Sequence, residues 1–427
     1  MFLAREKEIS LLEEDYLKAS SSYICLFGRK NIGKTILLNE YCKNKKRFYI
    51  SFTEISEMLY FNNLTKFVYN FFEITSSKKI SSFTDFLVFL SDVEVKYKTI
   101  IILDDFNILL KINKNALALF YEYWKKSLKK QNLQIILSSS VQSSKKEFTS
   151  IYEKSNVKII LDELDYSVIT KVIKDLPKKD LMYVYACFGS NIALLEQYDV
   201  KKDFLLNVKE LILLNKKHLY TDAITLLKYE LSDISTYSSI LYAISMGNNK
   251  IGDIAALIEV KSSFLTRYIQ KLVELMIIEK EIPLNDDPIK SKFGRYDIKD
   301  NFTKFWFCYI FPYSFLLEQN NFYPITAYIR NDFSKRLVHK AYKKYVISII
   351  KKDSFKFLGY EAIKISSWWN NKTSEIDIIA YNKKDITFLD CQWRKNEPLE
   401  LSYSRLKTKS KLFESPLTKN YIIFAKK

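Results

Sequence analysis

Gly28-Arg29-Lys30-Asn31-Ile32-Gly33-Lys34-Thr35 meets the spacing GxxxxGK[ST] at every fixed position. The apolar run YICLF (23–27) precedes it and the helix-forming TILLNEYCK (35–43) follows it. This strand–loop–helix context makes the spacing a phosphate-binding loop. The glycines let the backbone turn tightly, so that successive N–H groups converge on phosphate oxygens. The following helix adds its positive dipole end. Lys34 faces the β- and γ-phosphates and the Thr35 hydroxyl ligates Mg²⁺. Residues Gly28, Arg29, Lys30, Asn31, Ile32, Gly33, Lys34 and Thr35 are therefore the expected cradle for ATP and Mg²⁺. The chain has only 7 glycines, so two of them at the required spacing weigh against a chance match in a basic loop.

A second segment supports the first. Ile100-Ile101-Ile102-Leu103-Asp104-Asp105 reads as a buried strand ending in two carboxylates. Asp104 is assigned to the Mg²⁺ shell and Asp105 to the activation of water. LQIILSSS (133–140) ends in Ser139 and Ser140, placed to sense the γ-phosphate or the attacking water. With RFYISF (47–52) and VKIIL (157–161), these runs alternate with amphipathic segments, which implies a parallel sheet covered by helices over residues 1–165.

The remainder divides by pattern. Residues 166–235 have helical periodicity with few breakers and form a helical subdomain. Residues 236–310 read as three short helices (237–246, 251–258, 262–275) and a hairpin from 276–279 and 295–298, a winged helix. Its third helix would present Arg267 and Lys271 to nucleic acid. Residues 311–334 connect to a mixed α/β segment, 335–427, with a helix at 338–350 and strands near 375–381, 386–393 and 420–425.

Composition excludes several classes. Five scattered cysteines, never in CxxC, argue against a disulfide framework or zinc site, and two distant histidines against a Ser-His-Asp triad. The longest uncharged apolar run, Phe305 to Leu317, falls short of the about 20 residues of a spanning helix, and Pro312 interrupts it. Charged residues stand where an N-terminal leader needs an apolar stretch, so a cytoplasmic protein with no membrane partner is expected. The net charge is +18. Residues 335–427 hold 21 basic and 9 acidic side chains, two thirds of that excess, as expected of a domain that binds a polyanion such as DNA.

The opening FLAREKE (2–8), the phosphate loop, LDDF (103–106) and LSSS (137–140) together resemble the archaeal-type ATPases of the AAA+/STAND group. The resemblance implies an α/β fold: a P-loop NTPase parallel sheet, a helical subdomain, a winged helix and a C-terminal restriction-endonuclease-like α/β domain. It places Arg5 near the adenine and Lys154 where an arginine senses the γ-phosphate. It also puts Asp105 where the family usually has Glu, one methylene longer, so that slow hydrolysis is expected. Glu375-Ile376-Asp377 and Asp390-Cys391-Gln392 resemble the ExD…(E/D)xK core of restriction-like nucleases. There Asp377 and Asp390 would ligate Mg²⁺, but Gln392 replaces the lysine and Lys343 stands where a helix acid is expected. Three readings stay open: an ATP-dependent DNA-binding protein, a STAND-type signalling or defence switch acting on a protein partner, and an active Mg²⁺-dependent nuclease. The oligomeric state is undetermined by the sequence.

Overall fold

A computed structural model describes residues 5–140, 146–214, 233–284, 286–287, 291, 293–370, 374–393 and 398–425. The chain separates into two compact units, residues 1–162 with 274–276, and residues 163–273 with 277–427.

In the first unit, helix α1 (Glu6–Tyr16) leads into β1 (Ser22–Phe27), followed by α2 (Lys34–Tyr41), β2 (Arg47–Ser51), α3 (Glu57–Phe72) and α4 (Phe83–Asp92). Then come β3 (Thr99–Asp104), α5 (Phe106–Ile112), α6 (Ala116–Lys126), β4 (Leu133–Ser139), α7 (Lys146–Glu153) and β5 (Val157–Ile160). The strands form one parallel sheet in the order β2-β3-β4-β1-β5. Helices cover both faces, which is why β1, β3 and β4 are apolar on both sides. Tyr23, Cys25, Phe27, Ile101, Leu103, Ile135 and Leu137 pack with α3, α4 and α6 on one face. Ile24, Leu26, Ile100, Ile102 and Ile136 pack with α1 and α2 on the other. The expected strands are all present to within a residue.

The second unit begins with α8 (Tyr166–Val172), α9 (Lys178–Phe188), α10 (Ile192–Leu195) and α11 (Phe204–Val208). The rest of the expected helical stretch, 215–232, lies outside the described residues. Helices α12 (Ile234–Ser245), α13 (Ile251–Leu257) and α14 (Ser262–Glu274) precede the antiparallel pair β6 (Ile278–Glu281) and β7 (Arg295–Ile298). β6 starts two residues later than the pattern suggested. Met276 takes a left-handed φ of 58°, and Ile277 N–H donates back to Leu272 O at 3.0 Å, so the helix stop occupies the first expected strand positions.

The aromatic stretch that follows is helical and buried: α15 (Asn301–Phe305) continues into a π turn, and Phe302, Phe305, Phe307 and Tyr309 are all interior. After α16 (Ser314–Glu318) and α17 (Tyr323–Phe333), helix α18 (His339–Lys352) and α19 (Ser354–Leu358) lead into the second sheet. Its strands are β8 (Lys364–Trp369), β9 (Glu375–Tyr381), β10 (Asp385–Gln392) and, after α20 (Leu399–Ser410), β11 (Thr418–Ala425). β8, β9 and β10 are antiparallel neighbours, while β11 joins β10 in parallel. β8 escaped the sequence reading because Ser366 and Ser367 interrupt its apolar run. All five cysteines are free and buried. No helix among the described residues is long and apolar enough to cross a membrane.

Candidate functional site

The carboxyl ends of β1, β3 and β4 are neighbours, and the chemistry-bearing residues of the first unit gather there. The loop after β1 is held tightly: Gly28 N–H donates to Ser139 O at 3.3 Å. A Cβ on Gly28 would lie 2.7 Å from Ile32 Cγ2 and 3.2 Å from Leu161 O, so only glycine fits this cradle. Asn31 and Gly33 take left-handed φ of 65° and 98°, and α2 starts at the next residue. Buried Lys34 donates from Nζ to Gly28 O (2.9 Å) and Arg29 O (3.2 Å), which folds its ammonium over the loop.

Thr35 Oγ1 lies 3.3 Å from Asp104 Oδ2. The Tyr49 hydroxyl donates to the same oxygen, and Asp105 N–H donates to Asp104 Oδ1 at 3.0 Å. Burial, and then the Asp104 charge, push the Tyr49 phenol well above its ordinary value, so it remains a donor. Asp104 is thus buried, fixed from three sides and paired with a hydroxyl. Mg²⁺ takes one or two protein oxygens and fills its octahedron with phosphate and water, and this pair fits it. Asp105 starts α5 at a left-handed φ of 53°.

Strand alternation decides among the serines. Ser139 shares a face with Ile135 and Leu137, and its hydroxyl bonds Asn107 Oδ1 at 3.2 Å. Ser138 shares the face of Ile136, and the Leu103–Leu137 register sets it beside Asp104. Its buried Oγ has no hydrogen-bond partner among the described residues. Ser138, rather than Ser139, is thus the serine that stands beside Asp104. Three consecutive serines read alike in sequence, and only the pleat separates them. Tyr49 and Asn107 were missed for a similar reason, since nothing local marks a tyrosine or an asparagine as a neighbour of the strand ends. Arg5 donates to Asp162 O (2.6 Å) and pairs with Glu8 (3.2 Å), tying the start of α1 to the end of β5. Lys154 Nζ sits 5.0 Å from the Tyr121 ring centroid.

In the second unit, β9 and β10 bring Asp377 and Asp390 to one side of the sheet, but protein donors engage both. Asp377 Oδ2 accepts from Cys391 N–H at 2.8 Å. Asp390 Oδ2 accepts from Gln392 Nε2 at 3.1 Å and lies 3.7 Å from Arg405, while Gln392 also donates to Ser402. Burial, then the Asp377 charge, raise the Asp390 carboxyl. Lys343 on α18 stands 3.7 Å from Glu375. Burial pulls its ammonium down, but Asp377, Glu375 and Glu281 outweigh that and hold it above the usual lysine value.

Among the described residues no three His, Cys, Asp or Glu side chains form a metal-binding group. The two carboxylates expected to form an oxygen site, Asp377 and Asp390, lie on neighbouring strands, with the Lys343 ammonium facing Glu375 and Asp377 beside them.

The hairpin is docked onto this same region. Arg295 on β7 pairs with Glu375 at 2.7 Å and lies 4.4 Å over the Trp369 ring, whose Nε1 donates to Phe293 O at 2.9 Å. Lys344 on α18 donates to Ile298 O and Lys299 O at 3.2 Å. On α14, Arg267 is exposed, stacks 4.8 Å over Tyr268 and bonds its hydroxyl at 3.0 Å, while Lys271 is half-buried.

Comparison with known proteins agrees with this geometry. The model of an ATPase domain predominantly from Archaea matches residues 2–198. A second, of archaeal and bacterial proteins of unknown function, matches residues 306–407. An uncharacterised protein of Methanocaldococcus jannaschii is 30% identical over 440 residues, covering 100% of this chain and 96% of that one. An uncharacterised ATP-binding protein of the same organism is 37% identical over 46 residues, 11% of this chain and 78% of the relative. Among solved structures, the Walker-type ATPase of Pyrococcus abyssi has a TM-score of 0.53 at 17% identity, covering 72% of this chain and 96% of that one, a likeness of fold. With its phosphate loop, its Thr35–Asp104 pair and a relative matched end to end, the chain belongs to the archaeal-type P-loop ATPase family.

Proposed function

We propose that the protein is an ATP-binding, slowly hydrolysing switch that acts on DNA through a winged helix and a basic restriction-endonuclease-like domain that has lost its nuclease centre. The observation that carries the nucleotide half is the fixed Asp104 carboxylate, held by Thr35 and Tyr49 beside the buried Lys34. Bound ATP–Mg²⁺ supplies the phosphoryl group and neutralises part of its charge. Lys34 and the loop N–H groups bind and orient the phosphates. Thr35 and Asp104 would hold the metal, and the Tyr49 hydroxyl fixes the Asp104 carboxylate. Asp105 accepts a proton from water and Ser138 donates to the γ-phosphate side. Asp105 is shorter than the usual Glu, and Lys154 stands in for an arginine, so turnover is slow.

The DNA half rests on the excess of 12 basic residues in 335–427 and on the exposed Arg267 of α14. The order α18-β8-β9-β10-α20-β11 supports the nuclease-like reading of the last domain, and Lys343 and Gln392 support its inactivity. Mobility shifts of duplex DNA with ATP, ADP and no nucleotide, across salt, test the proposal. A steep salt dependence that differs between ATP and ADP is expected. Incubation with supercoiled and single-stranded DNA plus Mn²⁺ should give no cleavage, and cleavage abolished by Asp377→Ala would restore the nuclease reading. The docked hairpin favours one alternative, a switch on a protein partner that releases the Arg295–Glu375 clamp. Nucleotide-dependent partner binding without DNA affinity would select it.

A further inference from the structure

The second unit contains a cavity of about 620 Å³ that the ATPase chemistry does not use. It opens between α8, the start of α9, one face of α18 and the ends of β10 and β11. Its size falls in the range of small-molecule sites, about 300–1,000 Å³.

Its lining has two characters. Inside runs an arc of four rings. Tyr166 and Tyr345 have centroids 4.7 Å apart, Tyr345 and Tyr342 6.1 Å, and Tyr342 and Trp393 5.5 Å. Trp393 and Tyr342 are buried and form the floor, while Tyr166 and Tyr345 are half-exposed walls. Burial pushes the Tyr166 and Tyr342 phenols up to about 12, so the rings stay neutral and do not repel an anion. The rim carries Lys178, Lys179 and Lys352, all exposed. Asp165, the acid among the described residues of the lining, caps α8 through Ser167 N–H at 2.8 Å and also takes the Ser167 hydroxyl, so its charge is already engaged.

An aromatic arc beneath a cationic rim matches a ligand that is planar and apolar at one end and anionic at the other. A hydrocarbon ligand leaves the lysines without purpose, and an acidic peptide leaves the rings without purpose. We propose that this cavity binds a nucleobase together with its phosphate, either as a free nucleoside monophosphate or as an unpaired nucleotide of single-stranded DNA. The base stacks on Tyr345 with its edge toward Tyr166, whose ring is tilted 58° from that of Tyr345, and the phosphate meets Lys178, Lys179 and Lys352. This site is separate from the phosphate loop and does not depend on the proposed switch.

The test uses the full chain carrying Lys34→Ala, so that the phosphate loop does not take up the probes. One probe is adenosine monophosphate, followed by calorimetry. The other is a 3′-labelled, 5′-phosphorylated oligothymidylate of about ten nucleotides, followed by anisotropy. Tyr345→Ala is expected to weaken binding about tenfold, and Tyr345→Phe, which keeps the ring, less than about twofold. Lys178→Glu with Lys352→Glu should weaken the oligonucleotide further and lower its salt slope by about 0.7 for each phosphate no longer neutralised. The two substituted lysines are exposed, so the fold should survive, and thermal melts check this. Monophosphate binding alone identifies a free nucleotide as the ligand; oligonucleotide binding alone, or tighter, identifies the strand. Failure of both probes to bind overturns the proposal. So does binding that neither Tyr345→Ala nor the lysine pair alters in folded protein.

Discussion

On the proposed reading, nucleotide affinity turns on Lys34. Lys34→Ala removes the ammonium that folds over the loop, and ATP–Mg²⁺ affinity should fall at least tenfold, about 1.4 kcal/mol, by calorimetry. Gly28→Ala should act in the same direction by a different route. Its new Cβ meets Leu161 backbone, which cannot rotate away, so the loop must shift from its phosphate-binding shape. Two further substitutions separate binding from turnover. Asp105→Asn should stop hydrolysis while affinity survives, because on the proposed reading Asp104 would still hold the metal. Ser138→Ala should slow hydrolysis more than Ser139→Ala, since Ser139 is bonded to Asn107 on the opposite face of the sheet. Single-turnover rates of the pair decide between them, and equal rates would remove the assignment to Ser138.

At the scale of elements, the hairpin β6–β7 and the sheet that begins at β8 behave as one clamp. Arg295 joins them by an ion pair to Glu375 and a stack on Trp369. Arg295→Met should lower stability by about 1–2 kcal/mol, less than for a fully buried pair because the Glu375 side chain keeps 39% of its exposure. The clamp also has a pH signature. Burial pushes the Glu375 carboxyl up, but Lys343 and Arg295 outweigh it and hold it below the ordinary 4.5. A carboxyl lowered in the folded state contributes its stability above the unfolded value and loses it as pH falls through the folded one. Glu281 nearby is shifted upward by burial and works in the opposite sense, so the informative quantity is a difference. The gap in melting temperature between wild type and Arg295→Met should shrink from about pH 7 to about pH 3. A constant gap would mean that Arg295 acts through Trp369 packing alone.

For the whole molecule, charge is the property that sums. The second unit contains the helices after residue 163, the hairpin and the basic C-terminal sheet together, so deleting 335–427 would strip partners from Arg295 and the hairpin as well as remove charge. Charge reversal is the cleaner probe. Lys383, Lys384 and Lys411 are exposed. Their triple replacement by Glu should lower the salt slope of duplex DNA binding by about 0.9 for each phosphate no longer neutralised. If the slope does not move, Arg267→Glu on α14 should move it instead, and the charge of the last segment would then reflect composition alone.

What the sequence by itself determined is the local chemistry. The phosphate loop, the strand ending in Asp104 and Asp105, the parallel character of the first sheet and most strands of the second were legible, because backbone torsion, glycine spacing and apolar runs act over a few residues. The tertiary structure alone decided which side chains meet. Strand pleat set Ser138, and not Ser139, on the face of Asp104. Pairing of β2 with β3 brought Tyr49 to Asp104, 55 residues away. Packing of α18 against the second sheet set Lys343 beside Glu375 and near Asp377 and Glu281, residues remote from it in the chain. Those outcomes depend on burial and on distances between residues remote in the chain, and neither quantity is encoded in any short window of sequence.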